Sequence, residues 1–355
     1  MTPEEEIRKI EEELAKTKYN KATQGHIGRL KAKLARLRAE QEKKARSGAK
    51  GLGYAIKKSG DATVILVGFP SVGKSTLLNR LTNAESRVGE YDFTTIEVIP
   101  GVLDYNGAKI QLLDVPGLVE GAASGRGRGK EVLSVIRNAD LVLIVVDVKK
   151  PGQADIIKKE FYEAGFRLNQ RRPDVRIEKR NTGGLTIGST KKLKMGREEI
   201  KSILQEFKIL NADVLIRDDI TSEQLIDCIM KNRVYVPALT VYNKIDLGGK
   251  PELNNNSVAI SATDGRGIED LKRKMWGKLG LIRIYMKKAG KQPDLGEPFI
   301  FKTGCRIRDV CNHIHGDFAK DFTFARIWGP TARFPGQKVG LDHTLKDKDI
   351  LELHK

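Results

Sequence analysis

The chain has 355 residues, 39% apolar and 6% aromatic, with 64 Lys and Arg against 46 Asp and Glu, a formal net charge of +18. That length suits two to three domains with buried cores, and three scattered cysteines (Cys228, Cys305 and Cys311) argue against a disulfide framework and for a reducing, cytoplasmic setting. The longest apolar run, 141–146, falls far short of the ~20 residues a membrane helix needs, and the acidic start Thr2-Pro3-Glu4-Glu5-Glu6 has no apolar h-region, so neither span nor leader is expected.

The charge is unevenly placed. Residues 1–50 carry a net +6, 166–236 a net +5 and 281–355 a net +5, while 51–165 with 237–280 carry +2. Three basic appendages suit a polyanionic partner; a merely solvated surface is the alternative.

Thr2-Pro3-Glu4-Glu5 reads as a helix start, with Thr2 as N-cap, Pro3 in the first turn and Glu5 closing a capping box. Ile7, Ile10 and Leu14 follow at helical spacing. After a break at Tyr19-Asn20, a second helix is predicted over 23–46 with the stripe Ile27, Leu30, Leu34 and Leu37. The pair forms a helical hairpin. Residues 14–50 hold twelve bases and two acids, so the second helix is expected to dock on nucleic acid; a solvated helix packed on the body is the other reading.

A Gly/Ser/Ala/Lys hinge at 47–53 leads into the β-branched run 62–68, the mark of a buried parallel strand. A helix starts at Lys74. Further strands are predicted at 99–105, 109–114, 141–147, 238–243 and 257–260, with helices at 128–137 and 268–279. This alternation means a doubly wound α/β sheet. Residues 166–236 interrupt it, with strands and a turn over 176–190 and helices over 196–210 and 221–231, an inserted α+β unit. After Gly280, strands at 281–288, 298–303 and 322–328 around a helix at 307–315 suggest a small final domain. The expected domains are therefore 1–50, a sheet domain of 51–165 with 237–280, an insert of 166–236, and 281–355.

Gly68-Phe69-Pro70-Ser71-Val72-Gly73-Lys74-Ser75-Thr76 fits G-x-x-x-x-G-K-[ST] between a strand and a helix, the setting that motif requires. Its backbone amides and the helix N-terminus form an anion cradle. Lys74 should reach the β- and γ-phosphates, and Ser75 should ligate Mg²⁺. Asp114 ends a strand in Asp114-Val-Pro-Gly117, where a phosphate-loop sheet holds its metal, and Gly117 can offer an amide to a γ-phosphate. Between the two motifs, Tyr91-Asp-Phe-Thr94-Thr95 offers Thr95 as a ligand that closes on Mg²⁺ only with the γ-phosphate present. A strand-edge Thr pair is the plainer reading. Asn243-Lys244-Ile245-Asp246 follows an apolar run. There the Asp246 carboxylate accepts from guanine N1–H and its 2-amino group, which adenine cannot supply. Asn243 can bond the purine or the phosphate loop, the Lys244 stem can lie against the base, and a backbone N–H of Ser261-Ala262-Thr263 can meet guanine O6. Cys305, Cys311, His313 and His315 lack zinc-knuckle spacing and read as structural, and Cys228 as core.

These five motifs resemble the G motifs of translation-factor-class GTPases. Gly-Phe-Pro-Ser-Val-Gly-Lys-Ser-Thr with Phe-Thr-Thr resembles the Obg superfamily, and the whole layout resembles its developmentally regulated GTP-binding proteins, of an archaeal type. The resemblance implies a ribosomal-protein-S5-domain-2-like insert and a C-terminal TGS domain, a ubiquitin-like β-grasp. It also implies GTP hydrolysis to GDP with Mg²⁺, association with ribosomes or RNA in translation, no membrane, and in some members activation by a small regulatory protein. An RNA-binding scaffold with incidental hydrolysis is the rival. Two departures from the Ras-type pattern matter. Leu118 stands where a water-orienting Gln would sit, so slow intrinsic turnover is expected. Ser71 stands where potassium-activated relatives carry Asn, which leaves K⁺ open. Gly121 to Lys130 reads as a switch ordered by a partner, with Arg126 and Arg128 read as contacting RNA or simply solvated, and an arginine supplied in cis as the alternative.

Overall fold

The structure is a computed structural model describing residues 3–20, 22–47, 60–82, 99–115, 136–316 and 318–354. In chain order the elements begin with α1 (Pro3–Lys16), α2 (Gln24–Ser47), β1 (Ala62–Val67), α3 (Lys74–Leu81), β2 (Ile99–Tyr105), β3 (Ala108–Asp114) and β4 (Leu141–Asp147). Next come α4 (Gln153–Glu163), β5 (Phe166–Leu168), β6 (Val175–Lys179), β7 (Leu185–Ser189), α5 (Arg197–Glu206), β8 (Ala212–Ile216), α6 (Ser222–Met230) and β9 (Val234–Val236). The rest are β10 (Ala238–Asn243), β11 (Ser257–Ala259), α7 (Ile268–Leu279), β12 (Leu281–Met286), β13 (Asp294–Lys302), α8 (Ile307–Ile314), β14 (Phe324–Trp328), β15 (Gln337–Val339) and β16 (Asp349–His354). They fall into two units, Met1–Gly53 with Gln170–Tyr235 and Tyr54–Asn169 with Val236–Lys355. The sequence treats hairpin and insert as separate appendages; here they share one unit.

In the second unit, apolar runs without a polar break become strands buried on both faces: β1 is buried throughout and β4 along its first six residues. The sheet order is β11-β10-β4-β1-β3-β2. Its neighbours are parallel except at the β2–β3 hairpin. The register sets Leu66 beside Asp114 and Asp147 beside Asn243, so four strands end along one rim. That rim is where open α/β sheets bind ligands.

Gly280, in the left-handed conformation (φ 61°), ends α7 and turns the chain into a second sheet, ordered β13-β12-β16-β14-β15. α8 lies on that sheet, and Ile284, Ile307, Val310, Cys311, Ile327 and Leu351 fill the space between, a β-grasp arrangement. Cys305 packs at the edge of this core. The His313 ring lies edge-on to Phe299 and Phe301. Ile300 packs against the first sheet's core, and Lys302 pairs with Asp140 at 2.5 Å.

In the first unit, β6-β8-β7 form a small sheet under α5 and α6, and α2 lies along α5. The helix-to-helix face of α2 is made of small residues. A Cβ on Gly28 would lie 2.9 Å from Glu199 Cγ, and Ala32 is fully buried in the unit's core beside Ile203. Glu199 is itself buried, and its carboxylate accepts from Tyr19 (3.2 Å) and Ser222 (2.6 Å). The expected stripe is only partly the buried one: Ile27 and Leu30 are buried, Leu34 and Leu37 half-buried.

Four basic side chains of α2 are ion-paired. Lys31 pairs with Glu223 (2.6 Å), Lys33 with Glu6 (2.7 Å), Arg36 with Glu206 (3.2 Å) and Arg38 with Glu11 (2.6 Å). Over residues 24–41 the helix packs on the insert. Cys228 is half-buried rather than core, and burial pushes its thiol up to about 11. Among the described residues no helix is long and apolar enough to cross a membrane.

Candidate functional site

β1 delivers Gly68 to the sheet rim, and the loop Phe69-Pro70-Ser71-Val72-Gly73 turns back into α3. Ser71 and Gly73 adopt left-handed backbone, φ 60° and 91°. A Cβ on Gly73 would lie 2.4 Å from Asn243 Nδ2, so only glycine fits there. Gly73 is also the N-cap of α3 and offers no capping side chain, which leaves the first-turn amides at Lys74, Ser75 and Thr76 open to an anion. Val72 is buried beneath the loop.

The Lys74 ammonium arches over the loop, donating to the carbonyls of Gly68 and Phe69 at 3.1 Å each. Burial pulls its pKa below the ordinary lysine value, and the nearby Asp114 carboxylate opposes this. Ser75 Oγ donates to Asp114 Oδ2 at 3.0 Å. Burial pushes the Asp114 carboxyl up, against the Ser75 hydroxyl and the Lys74 charge. Asp114 Oδ1 is buried and without a hydrogen-bond partner among the described residues. An orphaned carboxylate oxygen beside a hydroxyl is a hard oxygen donor set, which fits Mg²⁺.

At the other end of the rim, Asn243 reads two loops at once. Its Nδ2 donates to Val72 O at 2.9 Å, and its Oδ1 accepts from Ala262 N at 3.0 Å. Lys244, left-handed at φ 67°, donates to Ser71 O (2.7 Å) and to Asp147 Oδ2 (3.0 Å). The Lys149 amide, with the Lys244 ammonium, holds Asp147 below the usual carboxylate range. Asp246 sits in a short 3₁₀ turn, exposed and without a side-chain hydrogen bond among the described residues. Ser261, Ala262 and Thr263 lie in the loop after β11, with Ser261 and Ala262 buried and Thr263 exposed.

Gly68, Pro70, Ser71, Val72, Gly73, Lys74, Ser75, Thr76, Asp114, Asn243, Lys244, Asp246, Ser261, Ala262 and Thr263 therefore all lie on one rim of one unit. Thr95, Gly117, Leu118 and the 121–130 stretch lie outside the described residues, as does most of the helix expected at 128–137. Two residues of the site went unnoticed in the sequence. Asp147 ends β4 as Asp114 ends β3, a signal that could have found it. Arg80 on α3 donates from Nε to Ala262 O at 3.0 Å and from Nη2 to Thr263 O; no local pattern announces that reach.

Comparison with known proteins agrees with this geometry. Residues 63–179 match the family model described as 50S ribosome-binding GTPase, 182–281 the C-terminal region of MMR_HSR1 domain, and 282–355 the TGS domain. An uncharacterized GTP-binding protein of Methanocaldococcus jannaschii is 53% identical over 99% of this chain and 92% of its own. The mouse (Mus musculus) developmentally-regulated GTP-binding protein 2 is 43% identical over 99% of each. This chain belongs to the developmentally regulated GTP-binding protein family. It carries a P-loop GTPase domain and a C-terminal TGS domain. Among solved structures, the G domain of the T. maritima FeoB iron transporter aligns with 61% of this chain and 98% of that one at 17% identity and TM-score 0.31, too low to carry an argument.

Proposed function

We propose that this family member is a cytoplasmic GTP-hydrolysing switch that works on ribosomes or ribosomal RNA. The observation that carries the reading is Asn243, whose amide ties the phosphate loop at Val72 to the base loop at Ala262, so one frame would hold both ends of a nucleotide. Asp246 supplies two acceptor oxygens for guanine N1–H and the 2-amino group. The Lys244 stem lies beside the base, and the Ser261–Thr263 loop meets its 6-oxo oxygen.

Ser75 and Asp114 would hold Mg²⁺, with Thr95 joining them in the GTP state. When bound, the ion neutralises charge on the β- and γ-phosphate oxygens. Lys74 would exchange its two carbonyl partners for those oxygens, and the amides of α3 and Gly117 would orient the γ-phosphate for in-line attack by water. Catalysis is then positioning and charge neutralisation, slow without a partner because Leu118 replaces a water-orienting Gln.

The ribosomal half is supported by the basic excess of the appendages and by the family description. It predicts faster single-turnover GTP hydrolysis when ribosomes are added; an unchanged slow rate would leave an RNA-binding scaffold with incidental hydrolysis. The guanine half predicts that Asp246→Asn exchanges GDP for xanthosine diphosphate, and binding of neither would sink it. Turnover in KCl against NaCl decides whether potassium takes part. A small regulatory protein would act on the 121–130 stretch.

A further inference from the structure

We propose that Arg80 is a positioning residue for guanine recognition: it holds the peptide between Ala262 and Thr263 so that the Thr263 amide faces the purine's 6-oxo oxygen. The inference rests on the guanine reading above and assigns the bond at that oxygen to one peptide.

Arg80 lies in the last turn of α3, about 9 Å along the axis from Lys74 at 1.5 Å per residue. Its guanidinium carries no ion pair among the described residues. Instead the fork spans two successive carbonyls, Nε to Ala262 O at 3.0 Å and Nη2 to Thr263 O. A planar fork fixes a peptide's orientation, which a single ammonium donor does not.

The amides of the loop decide what this fixing achieves. Ser261 N–H donates to Arg266 O at 2.9 Å, and Ala262 N–H to Asn243 Oδ1 at 3.0 Å. Thr263 N–H has no partner among the described residues. It belongs to the same peptide group as Ala262 O. In a trans peptide the N–H and C=O point opposite ways, so anchoring Ala262 O on Arg80 turns Thr263 N–H away from α3. Donation from a charged group to the carbonyl also polarises the peptide and strengthens its N–H as a donor. Helix α3 thereby serves both ends of the ligand, with its first turn at the phosphates and its last turn setting the base loop.

The test compares GDP with 6-thioguanosine diphosphate, which keeps N1–H and the 2-amino group but offers a weak acceptor at position 6. Both are titrated calorimetrically with Mg²⁺ into the full chain and into Arg80→Ala. The unaltered chain should prefer GDP, and Arg80→Ala should lose about tenfold for GDP and little for the thio analogue, so the two affinities converge. Arg80→Lys, which keeps the charge without the fork, should fall between. Unchanged GDP affinity, or equal losses for both ligands, would overturn the inference while leaving the guanine reading intact. No GDP binding by the unaltered chain would overturn that reading, and this inference with it.

Discussion

The sheet rim and helix α2 use their polar groups in different ways. Along the sheet rim, Asp114 Oδ1, the Asp246 carboxylate and the Thr263 amide have no hydrogen-bond partner among the described residues, while Asn243, Lys244 and Arg80 are bound to loop backbone. On α2, Lys31, Lys33 and Arg38 each face a carboxylate, Arg36 faces Glu206 although its Nε has no hydrogen-bond partner among the described residues, and the buried Glu199 is satisfied by Tyr19 and Ser222. Unsatisfied groups held in place by satisfied ones make a binding site; mutually satisfied charges make a scaffold. Net charge counted along a sequence does not separate the two.

The comparison breaks most visibly at Lys74. Its ammonium is half-buried over the loop, and it would form two charge-assisted bonds to phosphate oxygens, each about 1.5–3 kcal/mol. Lys74→Ala should therefore lower GTP affinity at least about a hundredfold by calorimetry without lowering the melting temperature. Normal affinity would mean the loop cradles no triphosphate. In the other unit the vulnerable point is steric. Gly28→Leu places a branched side chain against Glu199 Cγ and Ile203 Cγ1, and overpacking of this kind costs about 1–3 kcal/mol. Denaturant unfolding should register that loss while GDP affinity stays constant. A change in GDP affinity would mean the units are coupled.

A smaller effect sharpens the rim itself. The Asp114 carboxyl lies above its unfolded value because of burial. The folded state thus binds its proton more tightly, so stability is lost as pH rises through the unfolded value and the penalty is complete above the folded one. At neutral pH, Asp114→Asn removes that penalty and should stabilise the ligand-free chain, while abolishing the effect of Mg²⁺ on nucleotide affinity. In the unaltered chain, Mg²⁺ dependence should fade on acidification at a pH above that of an ordinary aspartate. A variant that is destabilised yet still answers to Mg²⁺ would assign the metal elsewhere.

Much of this was legible in the sequence, for a physical reason. β2, β4, β10 and α7 stand where the pattern puts them, and in β4 and β10 an apolar run ends at one polar residue on the rim, Asp147 or Asn243. β8 and β16 were missed. Ala212–Ile216 and Asp349–His354 are short, and their buried positions depend on neighbours distant in sequence. α4 was missed as well, because its exposed Ile156 and Tyr162 blur the apolar stripe. The phosphate loop reads directly because its chemistry is local. Arg80 does not, since its partners lie more than 180 residues away. The seam of α2 was hidden by its own composition: the residues at the crossing are Gly25, Gly28, Ala32 and Ala35, which a search for large apolar side chains passes over.

The smallest effect per side chain concerns RNA, and it tests the contrast between matched and unmatched charge. Arg29 on α2 is exposed without an ion pair among the described residues, unlike Arg36 and Arg38. A phosphate neutralised by Arg29 releases counterions, whereas Arg36 and Arg38 would first have to leave Glu206 and Glu11. Replacing Arg29 with Ala should therefore lower ribosome or RNA affinity and flatten its log–log salt dependence by roughly 0.7–0.9 for the phosphate no longer neutralised, with GDP affinity unchanged. Replacing Arg36 and Arg38 with Ala should flatten the salt dependence far less and frees two carboxylates on the unit's surface. Equal slopes in the two variants would mean that the ion pairs open on binding, and that the net charge was the right guide after all. Deleting residues 1–50 is the poorer experiment, because it strips Ala32 from the core of the insert and confounds weaker RNA binding with damaged packing.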